Sequence, residues 1–118
     1  EVLKYLSKKY KLHIITNGFH EVQHIKLQHA GLTSYFKEII TSEQMGVKKP
    51  NPKIFNYALQ KANTSAEESI MIGDDLEVDV LGAEKVGVQG VFFNPNKIKH
   101  NEDIVHEIFC LSELLALL

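Results

Sequence analysis

A single cysteine, Cys110, is all the thiol chemistry that this 118-residue chain carries. No internal disulfide can form, so the fold must rest on apolar packing, and a reducing, cytoplasmic setting is expected. Positive charge is not in excess. Thirteen Lys and Arg stand against 15 Asp and Glu, for a formal net charge of −2 and an isoelectric point near 6.3. That balance offers no basic field to nucleic acid or to an anionic membrane surface. No apolar run approaches the roughly 20 residues of a membrane span. Internal repeats and low-complexity stretches are also absent. The opening residues, Glu1 to Leu6, mix charges with apolar side chains, as an amphipathic helix does and a signal peptide does not. They lack an initiator Met, and the expectation is that the chain begins inside a longer protein.

What remains is a sequence with 44% hydrophobic residues, suited to one compact domain spanning residues 1–118. Short runs rich in β-branched residues predict strands over Leu12–Thr16, Glu38–Thr41, Ser69–Gly73 and Gly90–Phe93, with a short edge strand over Val105–Phe109. Helical spacing fills the intervals. It groups Val2, Leu3, Leu6 and Tyr10; Val22, Ile25, Leu27 and Ala30; Ile54, Phe55, Ala58, Leu59 and Ala62; and Val78, Leu81, Gly82 and Val86. Pro52 suits a first helical turn. Thr64 with Glu67 reads as a capping box, and Ser112 as the cap of a closing helix over Glu113–Leu118. Strands alternating with helices predict an α/β fold with a parallel sheet. Ligands of such sheets bind beyond the carboxyl ends of the strands.

Chemistry is therefore sought at the strand tips. Asp74 and Asp75 end one strand, Asp79 follows within about a helical turn, and Gly73 would let the backbone turn there. Converging carboxylates form a hard-oxygen site suited to Mg²⁺. The plainer reading is that acidic residues complement a helix dipole, each contributing a few tenths to about 1 kcal/mol. That reading is preferred for Asp75 and Glu77, and the metal reading for Asp74 and Asp79. Thr16-Asn17-Gly18 offers a hydroxyl and backbone N–H groups that can hold a phosphoryl group, although Asn-Gly also makes ordinary turns. Lys48-Lys49-Pro50 lies between tips. A lysine at about 4 Å from a phosphoryl oxygen gains about 4 kcal/mol at an effective dielectric of 20, and the proline restricts the residue before it. His20 and His24, four apart, could share a helix face, but no third ligand completes a zinc pattern. Phe19, beside the Thr16 tip, could line a ligand entrance.

In order and spacing these tips resemble the haloacid dehalogenase-type (HAD) phosphohydrolases. Ile14 to Gly18 is similar to the second family motif. Gly46 to Phe55 is similar to the third, where the lysine directly before the proline is functional, which selects Lys49 over Lys48. Met71 to Asp75, followed by Asp79, Gly82 and Ala83, is similar to the fourth. Thr16-Asn17-Gly18-Phe19 and Leu111-Ser112-Glu113-Leu114 resemble the pyrimidine 5′-nucleotidase branch. The resemblance implies a Rossmann-like three-layer core and a Mg²⁺-dependent phosphate monoester hydrolase acting through an aspartyl-phosphate. Thr16, Asn17, Gly18 and Lys49 would face the phosphoryl group of a small phosphorylated metabolite, a nucleoside monophosphate among the candidates. Asp74 would ligate Mg²⁺ and Asp79 would orient the metal shell.

The sequence departs from the family at its first motif, Asp-x-Asp, which supplies the nucleophile and a general acid–base. No Asp-x-Asp occurs here, and no strand or cap domain precedes Leu12. The isolated chain is therefore expected to be inactive. The family's strand order would leave a gap between the strands ending at Thr16 and Gly73, exposing backbone groups that cost on the order of 1–3 kcal/mol each if buried unpaired. That gap is expected to be filled by the missing N-terminal segment, closed by dimerisation, or closed by direct pairing of the two strands. A non-catalytic phosphate- or metal-binding module of the same fold is the alternative. A receiver-like signalling domain would need an acceptor aspartate on a central strand, and none is found.

Overall fold

A computed structural model of the chain describes residues 2–104 and 106–118. In chain order it has α1 (Val2–Lys9), β1 (Leu12–Thr16), α2 (His20–His29), β2 (Phe36–Thr41), α3 (Ser42–Met45), α4 (Pro52–Ala62), β3 (Ile70–Gly73), a π-helical turn (Leu76–Leu81) continuing into α5 (Gly82–Glu84), β4 (Gln89–Phe93), β5 (His106–Ile108) and α6 (Leu114–Leu117). The expected parallel α/β architecture is present. β1 pairs with β2, while β3, β4 and β5 form a second run in that order, every pairing parallel.

Side-chain alternation along the strands separates two cores. On one face Ile40, Ile54, Phe55, Ala83 and Val88 are buried together, with Ile15 and Met71 packed on them. On the other, Leu6, Val91, Ile108 and Leu114 are buried together, with Leu12 and Ile72 alongside. Met71 and Ile72 are neighbours in β3 and serve opposite faces, as the two-residue period of a strand requires. Helices α4 and α5 cover the first face, and α1 and α6 the second. Parallel sheets need such cover on both sides.

β1 and β3 do not pair with each other among the described residues, so direct pairing, one of the three expected closures, is not how this chain deals with the gap. β1 and β3 are terminal strands of the two sheets.

Several local expectations are corrected. Helix α2 buries none of its residues, and Val22 and Ile25 are exposed. At about 100° per residue, Leu27 points some 140° away from Val22, so the anticipated stripe does not close on one face. After β3, the N–H of Val80 bonds to the carbonyl of Asp75, a five-residue step. Of the expected set Val78, Leu81, Gly82 and Val86, Gly82 is buried and Val86 packs on the first core, while this π turn adds Asp79, Val80 and Ala83 to the buried residues. No capping box forms at Thr64 among the described residues: Ser65 is the N-cap and makes no side-chain capping bond, its Oγ donating instead to the Glu68 carboxylate at 3.1 Å. Ser112 caps nothing: it lies within a 3₁₀ turn, Leu111–Glu113. The Glu113 carboxylate accepts from the N–H groups of Phe109 and Cys110 at 2.7 and 2.8 Å. Of the predicted strand Val105–Phe109, His106–Ile108 is extended, and Val105 lies outside the described residues.

His13, within β1, has its Nδ1 shielded and without a hydrogen-bond partner among the described residues. Burial, opposed by Glu38 and reinforced by Lys11 and Lys37, lowers its pKa below the ordinary 6.5. The folded state then binds the proton less readily than the unfolded state. Its contribution is present above pH 6.5 and is lost as pH falls through the lowered folded value. Urea midpoints are accordingly expected to drop between pH 7 and pH 5, with a smaller drop in His13→Gln.

Candidate active site

Three segments meet beyond the tips of β1 and β3. Thr16 ends β1, and its Oγ1 accepts from the N–H of Gly18 at 3.1 Å. This small turn fixes the hydroxyl oxygen and leaves its proton free to donate elsewhere. It also occupies the Gly18 N–H, one of the backbone donors expected to face a phosphoryl group. Asn17 turns sideways. Its Oδ1 accepts from the Lys49 N–H at 2.9 Å, and its Nδ2 donates to the Lys49 carbonyl at 3.3 Å. The amide thus pairs with both backbone groups of the very residue whose side chain enters the site. The Lys49–Pro50 peptide is cis.

Lys49 is 9% exposed. Its ammonium donates to the carbonyl of Ile15 at 3.0 Å and to Asp79 Oδ1 at 2.6 Å. An ammonium has three donors, so one remains for a ligand. The other oxygen of Asp79 accepts from the N–H of Asp75 at 3.3 Å. Asp75 in turn caps the π turn, its Oδ1 accepting from Val78 N–H at 3.0 Å, in keeping with the helix-terminus reading of that residue. Asp74, one residue before it, is exposed at the end of β3. Lys48 is exposed as well.

Gly73 serves a purpose that its place in the sequence did not disclose. A Cβ there would lie 2.6 Å from the Asp79 Cγ, so the glycine makes room for a carboxylate where a sharp turn was expected. The Asn17–Lys49 pairing was likewise not legible from the sequence, since 32 residues separate the partners. Asn94, at the tip of β4, is 2% exposed. Its side chain is used up on Ile98 and Glu107, which closes that tip. Asn94 and then His100, by hydrogen bonding, hold the Glu107 carboxyl below its usual range.

Among the described residues no three His, Cys, Asp or Glu side chains gather as a metal cage. The rings of His20 and His24 do lie side by side, 4.3 Å between centroids, without a third ligand. Mg²⁺ commonly takes only one or two protein carboxylates and completes its shell with water and phosphate oxygens. An exposed Asp74 fits that demand as a single carboxylate.

The sequence model of the haloacid dehalogenase-like hydrolases matches residues 1–93. The chain belongs to that family. It is 41% identical over 95 residues to pyrimidine 5′-nucleotidase YjjG of Escherichia coli, covering 80% of this chain and 42% of that protein. Among solved structures, a HAD phosphatase from Thermococcus onnurineus superposes with a TM-score of 0.93 at 37% identity, over 98% of this chain and 54% of that one. The putative HAD-hydrolase YfnB of Bacillus subtilis, solved bound to magnesium, superposes at 0.91 with 32% identity, over 98% and 51%. The chain thus spans about half the length of the relatives it matches, and it is a partial domain of the HAD fold. No helix among its described residues is long and apolar enough to cross a membrane.

Removing one partner of a buried ion pair strands the other charge, at a cost of about 3–5 kcal/mol. Asp79→Ala and Lys49→Ala are each expected to lose that much in chemical denaturation. The double variant Lys49→Met with Asp79→Leu should lose clearly less than the sum. Asn17→Ala, which removes two hydrogen bonds of about 0.5–1.5 kcal/mol each, should cost about 1–3 kcal/mol.

Proposed function

We propose that this chain is the phosphate- and metal-holding part of a Mg²⁺-dependent phosphate monoester hydrolase whose parent protein works through an aspartyl-phosphate. The observation that carries the reading is the convergence of Thr16, Lys49 and Asp79 beyond two strand tips, with an exposed Asp74 beside them. Two of the three relatives named above are a nucleotidase and a phosphatase, which supports the same chemistry.

Phosphoryl transfer needs little from a protein beyond placement and neutralisation of charge. Thr16 Oγ1 accepts from Gly18 N–H, so its proton is free to donate to a phosphoryl oxygen. Lys49 brings a fixed positive charge with one donor to spare. Asn17 holds the peptide of that lysine, and Asp79 holds its ammonium. In this reading Asn17 shapes the phosphate site through Lys49, and its side chain is not itself a ligand to phosphate. Asp74 would hold Mg²⁺, with Asp79 ordering its surroundings; the bound ion would neutralise charge on the phosphoryl oxygens. The carboxylate nucleophile is not among these 118 residues, which contain no Asp-x-Asp. The edges of β1 and β3 are where an added strand or a second copy could bring one. The substrate is a small phosphorylated metabolite, with nucleoside monophosphates among the candidates, and the setting is cytoplasmic.

Hydrolysis of p-nitrophenyl phosphate with Mg²⁺ tests the reading. The isolated chain should be inactive and the full-length gene product active. In the latter, Asp74→Asn and Thr16→Val should each lower kcat at least about a hundredfold, the usual effect of removing one group that stabilises transition-state charge. Mg²⁺- and phosphate-dependent binding with no turnover in the full-length product would support a non-catalytic module instead.

A further inference from the structure

Two imidazoles of α2 play no part in the phosphate site. His20 and His24 are four residues apart, so they sit one above the other on one side of the helix. Their rings are 4.3 Å apart between centroids and tilted by 60°. Both residues are half-buried. The Nδ1 of His20 and the Nε2 of His24 are shielded and have no hydrogen-bond partner among the described residues. A shielded polar atom without a partner is a cost to the fold, and such atoms ordinarily find one. Two of them on adjoining rings point to a shared ligand.

The segment itself reads His20-Glu21-Val22-Gln23-His24. In zinc metalloproteases a helix with His-Glu-x-x-His hands two imidazoles to one ion. Catalytic zinc takes a third protein ligand as well, and no third His, Cys, Asp or Glu joins the pair among the described residues. The Glu43 carboxylate spends its Oε1 on the N–H of His20, at 3.0 Å. The arrangement therefore suits a two-imidazole chelate completed by water, and not a hydrolytic centre.

Helix α2 also has a use for a cross-link. It buries none of its residues, and its N-cap, Phe19, makes no side-chain capping bond. An ion held between the first and fifth helical residues would tie down the opening turn, which follows directly on Thr16-Asn17-Gly18.

We propose that His20 and His24 form a bidentate site for a divalent transition ion of the Zn²⁺, Ni²⁺ and Cu²⁺ class, separate from the Mg²⁺ site at Asp74. Imidazole suits these ions, whereas Mg²⁺ takes oxygen ligands. A turn of the two rings about χ2 brings both unpartnered nitrogens to the roughly 2.0–2.1 Å of a Zn–N bond. The site does not depend on the phosphate reading.

Calorimetric titration with Zn²⁺, with Mg²⁺ in excess to occupy the oxygen site, tests the proposal on this chain and on the full-length gene product. A single equivalent should bind with a Kd on the order of 1–100 µM, since two ligands supply about half the free energy of a four-ligand zinc site. His20→Gln and His24→Gln should each weaken binding at least about tenfold, and His29→Gln, on the same helix, should not. In imidazole ¹⁵N NMR, Zn²⁺ should shift the ring nitrogens of His20 and His24 together and leave those of His29 in place. Affinity that survives both His20→Gln and His24→Gln, or that is lost in Asp74→Asn instead, overturns the proposal, because the ion then sits elsewhere. Binding to this chain that disappears in the full-length product overturns it too, because the two rings then meet a protein group and not an ion.

Discussion

The buried ion pair between Lys49 and Asp79 is the contact on which the rest of the site depends. Lys49 reaches the carbonyl of Ile15 in β1 and the carboxylate of Asp79 beyond β3. It therefore joins the two parallel sheets whose facing strands share no hydrogen-bonded ladder. A lone charge at this depth would be costly. A pair whose remaining groups are hydrogen-bonded is tolerated, because each charge substitutes for the water the other has lost.

Much of the neighbouring sequence is arranged around that pair. Asn17 grips the Lys49 peptide at both its N–H and its carbonyl. Gly73 leaves a space that any side chain would take from Asp79. The π turn carries Asp79 to the inner side of its helix, and Gly82, one turn on, lets Pro50 and Phe55 pack close. These are separate local devices, and all of them place one ammonium between two strand tips. Short turns and π bulges of this kind gather at functional sites because they aim side chains that regular structure cannot.

The division between holding and binding follows from hydrogen-bond capacity. Groups that the sequence marks as equals are unequal in the fold. Asn17 and Asp79 have their polar atoms engaged by the protein, whereas Thr16 keeps a proton, Lys49 keeps a donor and Asp74 faces solvent. Ligand-facing capacity is what remains after the protein has satisfied itself. The same accounting closes the tip at Asn94.

By itself the sequence determined the strands, most of the helices, the parallel sheet and the three tips that matter. Those features follow from short-range periodicity and from motifs a few residues long, which any stretch of chain displays locally. The tertiary structure alone decided which partners share a hydrogen bond across 30 or more residues, that α2 would leave Val22 and Ile25 exposed, and that a π turn would bury Asp79 and Val80. It also decided that β1 and β3 stay apart. Each of these outcomes depends on which backbone and side-chain groups find partners once distant segments pack together, and no local pattern carries that information.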